Sequence, residues 1–531
     1  MAQLPSRRSP AVQRDAAQTP RPPRDRAGLL LVAASLLGVL AWGAARTDDV
    51  AGRPLVVLWD SDPGTYDPQG TSNPTAQAIF RHVCEPLFAE DESGRVHGLL
   101  AETDYAFDRT GRRLTIRLRA DVTFHDGTPL DAAAVAASFA RLVRMGVSPL
   151  TDDLRDVRVT PGADARTVAF ALPAPDFEFV RLVLANPYAA VVSPGAGEPA
   201  PPGFVACTGP YRYAPPLYDP GHRLDLVRHP RYARAAAGAG SRSAARIPRL
   251  RFAFVADRQA RFDALLAGDA CVLSLGREQM AAASDRTDLR RYDATGGVTF
   301  LGFNFQRPRW QDRRARQAVA LAVDKRALAD LGPFAIAHTP LAPNAVGYDA
   351  AVAAAGYRHD PASARTLLDA AAFDRDAEVV LLVAESNTYA ELAAELAAQL
   401  AALDLRVRVR SLPRADILSR RQDFDLLLFD YAWGDYTALA IFLGPGPRNL
   451  LGYGDRHVAD RVREARAIAD PVTRAALVQA AQRTVLSEAV WQPLLVRRIV
   501  FAVSDRCVRG ERQSPAGDLL FHDAVTAPFV R

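Results

Sequence analysis

Apolar and polar residues alternate along several short stretches of this chain, as they do in half-buried β-strands. Such stretches lie at 55–59, 114–119, 167–172 and 249–255. Helical spacing occurs between them: Asp131 can cap a helix that runs to about Arg144, with Val135 and Phe139 on one face. The pattern predicts a mixed α/β protein.

The most regular pattern begins at Glu378. An apolar strand there is followed by a helix with leucines on one stripe, an alternating strand at 405–410, a short helix and an apolar strand at 424–430. This β-α-β-α-β order favours a parallel sheet with right-handed crossovers. We therefore predict an open α/β unit, and we expect ligands outside the carboxyl ends of its strands.

Two loops follow strands of this unit and are the predicted ligand positions. The first is Glu385-Ser386-Asn387, and the second is the stretch YAWGDYT at 431–437, called the YAWGDYT loop below. In the second loop an acid, Asp435, lies among aromatic residues, and Gly434 allows the backbone a sharp turn. We predict that this loop forms a pocket wall. The alternative is an aromatic loop that packs on its own unit.

A further helical pattern near the C-terminus has Val472, Leu477, Ala480 and Val485 on one stripe and ends near Glu488. An apolar strand at 494–503 follows it. This order predicts that the chain finishes by returning to a part of the fold that was built earlier.

Composition places the chain among ordinary globular proteins. It has 531 residues, of which 49% are apolar and 24% charged, and this length suggests several units of about 100–200 residues each. The net charge is +5, and arginine supplies nearly all positive charge because Lys325 is the only lysine. No nucleic-acid recognition motif accompanies this charge, so we expect no nucleic-acid partner.

The first 45 residues indicate export. Residues 1–26 carry six arginines against two aspartates and predict a disordered basic tail. Residues 27–45 then run for 19 positions without a charge and end in Gly43-Ala44-Ala45. They fit a signal sequence cleaved near Ala45, or an uncleaved transmembrane anchor whose N-terminus lies inside. In both cases residues 46–531 would lie in the periplasm or an equivalent extracytoplasmic space.

Export changes how the four cysteines are interpreted, because disulfides form and persist outside the cytoplasm. Cys84, Cys207, Cys271 and Cys507 have no CxxC spacing, so a zinc site is not indicated. One or two disulfides are expected, and the sequence does not choose among the possible pairings. Four buried free thiols are the alternative.

Signatures of catalysis are missing. The chain contains no HExxH, GxSxG or GxxxxGK[ST] pattern, and its nine histidines never fall at helical metal-ligand spacing. His125 lies in Phe124-His125-Asp126-Gly127, where a turn formed by Asp-Gly is the simpler interpretation. We therefore predict no catalytic residue, no metal site and no cofactor.

Several segments carry a likeness to one protein family. The densest is LTIRLRADVTFHDGTPLDAAAVAASFA at 114–140, and the others are Asp67-Pro68, Cys84-Glu85-Pro86-Leu87, Thr208-Gly209-Pro210-Tyr211 and Phe303-Asn304 before the helix at 311–328. In order and spacing they resemble the bacterial solute-binding proteins of the dipeptide and oligopeptide class (family 5) that serve ABC importers. The likeness extends over nearly all of 53–531, so the chain is identified as a member of this family.

The resemblance implies an α/β, two-lobed periplasmic-binding-protein-like fold (type II, cluster C-like) that closes on its ligand like a hinged trap. A third subdomain is inserted into the first lobe. The implied boundaries are 50–90, 204–295 and 496–531 for lobe one, 91–203 for the inserted subdomain and 296–495 for lobe two. All four cysteines would then belong to lobe one.

The resemblance also implies site residues. In peptide-binding relatives an Asp that follows a Trp in the corresponding loop pairs with the α-ammonium group of the ligand, and Asp435 resembles that residue. The other predicted ligand contacts are Trp433, Tyr436, Tyr66, Asn304, Phe305 and Trp491, each of which can instead be a core residue. An arginine should meet a ligand carboxylate, but the sequence does not single one out.

The implied function is that of a non-enzymatic, extracytoplasmic substrate-binding component of an ABC transporter. It would capture a peptide or a similar small polar solute, act as a monomer and deliver its cargo to ABC permease subunits in the cytoplasmic membrane. The ligand stays open, since ligands in this family include di- and oligopeptides, sugars, opines and metal chelates. The alternatives are a membrane-anchored sensor or scaffold with the same fold, and an exported hydrolase, which the absent motifs disfavour.

Overall fold

The computed structural model describes residues 53–71, 73–91, 94–196, 203–232, 245–419, 423–431, 434–446 and 448–527. The basic segment at 1–26 and the apolar segment at 27–45 lie outside these residues, and so does Trp433. Within the described part of the chain, none of the helices combines the length and the apolar character that crossing a membrane requires.

Strands and helices alternate along the chain. The strands are β1 (Leu55–Trp59), β2 (Phe88–Glu90), β3 (Val96–Gly98), β4 (Ala101–Phe107), β5 (Arg113–Leu118), β6 (Arg158–Pro161), β7 (Thr167–Ala171), β8 (Tyr211–Tyr213), β9 (Arg223–Arg228), β10 (Arg249–Phe254), β11 (Val272–Leu275), β12 (Leu289–Phe303), β13 (Phe334–Ile336), β14 (Val379–Ala384), β15 (Val407–Leu412), β16 (Leu426–Tyr431), β17 (Trp491–Ser504), β18 (Val508–Arg509), β19 (Arg512–Gln513), β20 (Leu519–Leu520) and β21 (Val525–Thr526). The α-helices are α1 (Pro74–Phe80), α2 (Ala132–Met145), α3 (Thr151–Leu154), α4 (Arg258–Ala267), α5 (Arg277–Ala282), α6 (Arg313–Ala322), α7 (Lys325–Ala329), α8 (Pro361–Ala370), α9 (Asn387–Ala401), α10 (Arg414–Ser419), α11 (Thr437–Leu443), α12 (His457–Ala467) and α13 (Pro471–Ser487).

One large mixed sheet runs through the fold in the order β15-β14-β16-β12-β17-β11-β1-β10-β9-β8, with β13 paired to β17. Its central strands, β12 and β17, are long and antiparallel. Their pairing shifts register between Thr295 and Val298, at Gly296-Gly297. β17 continues into the half that contains β1, β10 and β11, and β12 pairs with the half that contains β14 to β16. The two long strands therefore connect two α/β halves.

The strand register shows which ends of the two halves face each other. Tyr431, at the carboxyl end of β16, pairs with Val298, which in turn pairs with Val496 of β17. Leu275, at the carboxyl end of β11, pairs with Val500 of the same strand. Four residues of a strand span about 13 Å. The carboxyl ends of parallel strands from both halves thus point at the crossing region, which is where open α/β sheets bind ligands.

The predicted β-α-β-α-β unit is confirmed. β14, α9, β15, α10 and β16 follow one another, and β14 pairs in parallel with both β15 and β16. Every residue of β14 is buried, because helices cover both faces of the sheet. Leu381 and Val383 belong to the apolar cluster that contains α6 and α9, whereas Val380 and Leu382 belong to the one that contains α11 and α13.

The helix predicted before the last long strand is present, but its buried stripe differs from the prediction. α13 buries Val478, Ala481 and Val485, whereas Val472 is 76% exposed. Inclusion of Val472 in the stripe was therefore wrong. Spacing defines a helix face, but it does not determine which turns of the helix reach the sheet. β17 also begins at Trp491, three residues before the predicted strand.

A separate four-stranded sheet, β4-β5-β7-β6, lies within the segment 91–203, with α2 packed against it. Asp131 caps α2 by accepting a hydrogen bond from the Ala134 N–H (2.8 Å), as predicted. The turn predicted at Phe124 to Gly127 is confirmed as well. The Gly127 N–H donates to the Phe124 carbonyl (2.9 Å), and Gly127 has a φ of +90°.

A disulfide joins the chain just before this segment to the chain just after it. Cys84 and Cys207 are bonded, with their Cα atoms 4.9 Å apart. Two residues later, the Gly209 N–H donates to the Val83 carbonyl (2.9 Å). A Cβ on Gly209 would lie 2.4 Å from the Val83 oxygen, so a larger residue cannot fit at this crossing. Two of the segments that resemble the family are therefore neighbours in the fold.

Candidate functional site

Asp435 lies just beyond the carboxyl end of β16, where the topology predicts a ligand group. It precedes the first residue of α11, Thr437, by two positions. Its carboxylate accepts hydrogen bonds from the Thr437 N–H (2.8 Å) and from the Thr437 hydroxyl. The residue is only 6% exposed. Burial raises the pKa of Asp435 to about 6, although both Thr437 bonds favour the ionised form.

The segment around Gly347 holds this loop from the side. The Val346 N–H donates to the Gly434 carbonyl (2.8 Å), and Val346 forms a parallel bridge with Asp435. Gly347 has a φ of +88°, and a Cβ there would lie 2.9 Å from the ring of Tyr436. The Asp435 backbone is therefore fixed by a second segment, and its carboxylate has a defined position.

Arg466, on α12, is the cation that acts on the Asp435 carboxylate. Its Nη1 donates to Asp153 (2.5 Å), and its Nη2 and Nε donate to Asp176 (2.5 and 3.1 Å). Its carbonyl accepts the Phe177 N–H (2.8 Å). The Arg466 side chain is 18% exposed, and the two carboxylates are 17% and 12% exposed. One buried guanidinium thus joins α12 to the segment 91–203.

A second ion pair lies beside the first. Arg474 Nη2 of α13 is 3.1 Å from Glu178 Oε1. Burial raises the pKa of Glu178 and of Asp176, and the arginines Arg474 and Arg466 oppose this effect. Both carboxylates therefore depend on their arginines to stay ionised. We call this group the Arg466 cluster; it comprises Asp153, Asp176, Glu178, Arg466 and Arg474.

Tyr436 follows Asp435 in the sequence, and charges of the Arg466 cluster act on its hydroxyl. Its side chain is 2% exposed, and its hydroxyl has no hydrogen-bond partner among the described residues. Burial raises its pKa far above the usual value, with Glu178 adding to the increase and Arg466 opposing it. A buried hydroxyl without a partner costs about 1–3 kcal/mol. Tyr436 can therefore donate to a ligand that reaches this position.

On the facing half, the loop after β1 carries Tyr66. The Tyr66 side chain is fully buried, its hydroxyl donates to Asp62 (2.6 Å), and its ring stacks on Phe204 with 5.5 Å between centroids. Tyr218 donates to the other oxygen of Asp62 (2.9 Å). Tyr66 therefore packs within the loop after β1, and its own hydroxyl is already bonded.

Two predicted contacts lie at the opposite end of the other half. Asn304 directly follows the end of β12 that pairs with the start of β16, whereas Asp435 lies beyond the end of β16. The six residues of β16 span roughly 17–20 Å. Asn304 donates to the Phe424 carbonyl (2.8 Å), and Phe305 packs on Tyr453 with 4.9 Å between centroids. The structure does not bring Asn304 or Phe305 to Asp435, and a role for them as ligand contacts stays a prediction.

Trp491 is a core residue. It is 0% exposed, and its ring lies 4.7 Å from that of Phe300 and 5.7 Å from that of Tyr431. It therefore supports the first residue of the YAWGDYT loop from within the sheet. Trp433 belongs to the same loop but lies outside the described residues.

The structure also shows polar groups at the rim of this sheet end that the sequence did not single out. Asp430 accepts hydrogen bonds from the Tyr389 hydroxyl (2.5 Å) and from Arg414 Nη1 (2.5 Å). The Arg414 guanidinium lies 4.2 Å from the centroid of Phe429, and 46% of its side chain is exposed. The signal that could have identified Asp430 is its position, since it is the one acid within the last two residues of an apolar strand.

The Arg466 cluster was also missed, because no local pattern points to it. Arg466 is one of several arginines on α12, and helical spacing does not distinguish among them. Its partners Asp153 and Asp176 are 313 and 290 residues away in the chain. Only the fold brings them together. In the residues that the structure describes, no three His, Cys, Asp or Glu side chains are grouped as a metal ion would require.

Three comparisons relate the chain to known proteins. The model of the family described as "Bacterial extracellular solute-binding proteins, family 5 Middle" matches residues 95–444. The chain is 24% identical over 478 residues to the glutathione-binding protein GsiB of Escherichia coli (strain K12), covering 86% of this chain and 91% of that protein.

Two solved structures share the fold. The ABC transporter substrate-binding protein CtaP of Listeria monocytogenes matches with a TM-score of 0.75 at 20% identity, over 90% of this chain and 100% of that one. The dipeptide-binding protein of Pseudoalteromonas sp. SM9913, solved in complex with Met-Leu, matches with a TM-score of 0.73 at 19% identity, over 89% and 100%. These likenesses confirm the predicted α/β fold of the periplasmic-binding-protein type.

Proposed function

This chain belongs to the bacterial extracellular solute-binding proteins of family 5, and from that premise we propose that its ligand is a peptide, or a similar solute, with a free α-ammonium group. Family membership makes the chain a substrate-binding protein of an ABC transporter and not an enzyme. The ligand class is what we infer in addition, and the relatives that bind glutathione and Met-Leu support it.

The observation that carries the proposal is the buried carboxylate of Asp435 at the carboxyl end of β16. A carboxylate removed from water stays ionised only if hydrogen bonds or a cation compensate for the lost hydration, and the two Thr437 bonds leave the pKa of Asp435 raised. Asp435, the Arg466 cluster and the Glu90–Arg181 pair that also acts on Glu178 together set five carboxylates against three guanidinium groups. The site is therefore short of positive charge, and the ammonium group of a ligand would supply it.

The proposed mechanism is closure of two lobes over the ligand. In this proposal lobe one comprises residues 50–90, 204–295 and 496–531, the inserted subdomain comprises 91–203, and lobe two comprises 296–495. The hinge is then the pair of long strands, β12 and β17. Closure would remove the ammonium group from water, and a charge-assisted bond to Asp435 would contribute about 1.5–3 kcal/mol against that loss. The ligand favours the closed form only by the difference between its affinities for the two forms.

We propose Asp435, Tyr436 and Trp433 as ligand contacts on lobe two, with Tyr66 shaping the facing wall. Asp435 would bind the ammonium group, and the Tyr436 hydroxyl would donate to a ligand oxygen. Asn304, Phe305 and Trp491 are not part of this proposal, because their side chains are engaged at the far end of the sheet or in its core.

We also propose that residues 27–45 direct export and that the mature protein acts as a monomer with ABC permease subunits. The extracellular description of the family supports export. N-terminal sequencing of the mature protein distinguishes the two forms of the segment. A mature start just after Ala45 would mean cleavage, and an intact N-terminus in the membrane fraction would mean an anchor.

Isothermal calorimetry with Asp435→Asn tests the ligand class. Dipeptides and tripeptides are first screened for binding, and the best one is compared with its N-acetylated form. At pH 7 we expect the wild-type protein to bind the free-amine peptide about tenfold more tightly than the acetylated one, and Asp435→Asn to remove this preference. Asp430→Asn, at the rim of the same sheet end, is the matched control and should keep it. Equal affinity of the wild-type protein for both peptides would refute the proposal.

A further inference from the structure

Cys271 and Cys507, which are not part of the disulfide, are neighbours in space. Cys271 immediately precedes β11, Cys507 follows β17, and these two strands are paired. The Ser504 N–H donates to the Cys271 carbonyl (2.9 Å), and the Cys507 N–H donates to the Ser504 carbonyl (3.0 Å). The turn thereby returns Cys507 to Cys271: Cys507 Sγ donates to the carbonyl of Ala270, the residue before Cys271 (3.7 Å), and the two thiol groups interact. Both side chains are buried.

The two sulfur atoms have different roles in this contact. The interaction with the Cys271 thiol is the main reason that the pKa of Cys507 is lowered, against the effect of burial, and the Ser504 hydroxyl adds to the lowering. The same interaction, together with burial, raises the pKa of Cys271. The thiolate is the nucleophilic form of cysteine. The lowered pKa favours the thiolate at Cys507, and the second thiol lies beside it.

We propose that Cys271 and Cys507 are a dithiol site that oxidises to a second disulfide when the protein meets a disulfide oxidant. The Cys507 thiolate attacks the oxidant, forming a mixed disulfide and releasing one thiolate. Cys271 then loses its proton, and its sulfur attacks Cys507 Sγ and releases the second thiolate. In total the two cysteines lose two electrons and two protons, and the oxidant is reduced to two thiols.

The new bond would connect the start of β11 to the turn after β17. It would therefore link β11 to the C-terminal end of β17, in the half of the sheet that contains β1. The Cys84–Cys207 disulfide is elsewhere, where the segment 91–203 joins the main sheet. The two bonds can therefore be followed separately in one chain.

Peptide mapping tests the proposal directly. The full-length protein is reduced, incubated with glutathione disulfide, denatured, treated with N-ethylmaleimide and digested with trypsin. We expect peptide 262–277 linked to peptide 507–509, beside peptide 82–95 linked to 182–212 through Cys84 and Cys207. The link through Cys84 and Cys207 shows that oxidation was sufficient. Maleimide on Cys271 and Cys507, or glutathione retained on Cys507, in chains that carry this link would overturn the proposal.

Melting temperatures provide an independent test with Cys271→Ser and Cys507→Ser. A disulfide that closes a long loop stabilises the folded chain, so oxidised wild-type protein should melt a few degrees above both oxidised variants. After reduction this difference should disappear. Equal melting of the oxidised proteins, or a difference that persists after reduction, would contradict a second disulfide.

Discussion

Replacing Arg466 by glutamine tests whether the Arg466 cluster stabilises the closed form. The guanidinium is 18% exposed and binds carboxylates that are 17% and 12% exposed. Breaking a buried pair by removing one partner costs about 3–5 kcal/mol, because the remaining charges are left uncompensated. Under the proposed boundaries these charges, Asp153 and Asp176, belong to the inserted subdomain and Arg466 to lobe two, so opening the lobes would return them to water. We therefore expect the closed form to lose roughly 100- to 5,000-fold in population relative to the open form.

Small-angle scattering and calorimetry measure this shift. The radius of gyration of the ligand-free Arg466→Gln protein should increase. The apparent Kd for the best peptide should rise by at most the same factor, since it equals the intrinsic Kd divided by the closed fraction. Arg463→Gln is the matched control, because Arg463 lies on the same helix with its side chain 61% exposed and pairs only one turn away, with Asp460. Such a pair contributes about 0.3–0.5 kcal/mol.

One result would refute this reasoning. If Arg466→Gln lowers the melting temperature but leaves the radius of gyration and the Kd at the values of Arg463→Gln, the cluster stabilises one rigid body. The surface that closes over the ligand would then lie elsewhere. A circular dichroism spectrum equal to that of the wild-type protein shows that the variant is folded and that the comparison is valid.

Two further predictions concern pH and the disulfide crossing. The pKa of buried Asp435 is about 6, so below this pH the carboxyl group carries a proton that must leave before an ammonium group can pair with the carboxylate. The Kd of a free-amine peptide should therefore rise by up to tenfold per pH unit as the pH falls below about 6. Calorimetry across this range should show the rise for the wild-type protein, and a flat profile is expected for Asp435→Asn. Gly209→Ala would place a Cβ 2.4 Å from the Val83 oxygen and should lower the melting temperature and the yield of the Cys84–Cys207 disulfide, as measured by thermal melts and peptide mapping. Gly454→Ala, where no atom lies within 4 Å of the added Cβ, should change neither, and an equal effect of the two substitutions would argue against the close crossing.

Local patterns in the sequence predicted the local architecture well. The β-α-β-α-β unit could be predicted because a strand buried on both faces, such as β14, is a continuous apolar run, and because helices between such strands carry their own periodicity. The α13 stripe failed at Val472 because helical spacing carries no information on where the helix ends its contact with the sheet.

The family likeness specified the fold better than the ligand site. Asp67 binds Arg141 (2.6 Å) in the interior, and Thr208 donates to buried Glu85 (2.7 Å). The first pair joins the loop after β1 to α2, and the second joins the segment before β8 to the segment before β2, so the presence of these residues predicts the architecture. Asp435 could be placed because it follows a strand of an open sheet. Arg466 could not, because its partners are about 300 residues away and no spacing rule connects them.

The pKa of Asp435 also limits how strongly the site can select for an ammonium group. A ligand without one can be accommodated if Asp435 takes up a proton. At pH 7 this costs only about 1.4 kcal/mol when the pKa is about 6, which is a factor of about ten. Protonation of a carboxylate with an ordinary pKa of 3.8 would cost about 4 kcal/mol at pH 7. The affinities for free and acetylated peptides should therefore converge as the pH falls towards 6. A preference that stays constant down to pH 5 would mean that the ammonium group binds another residue.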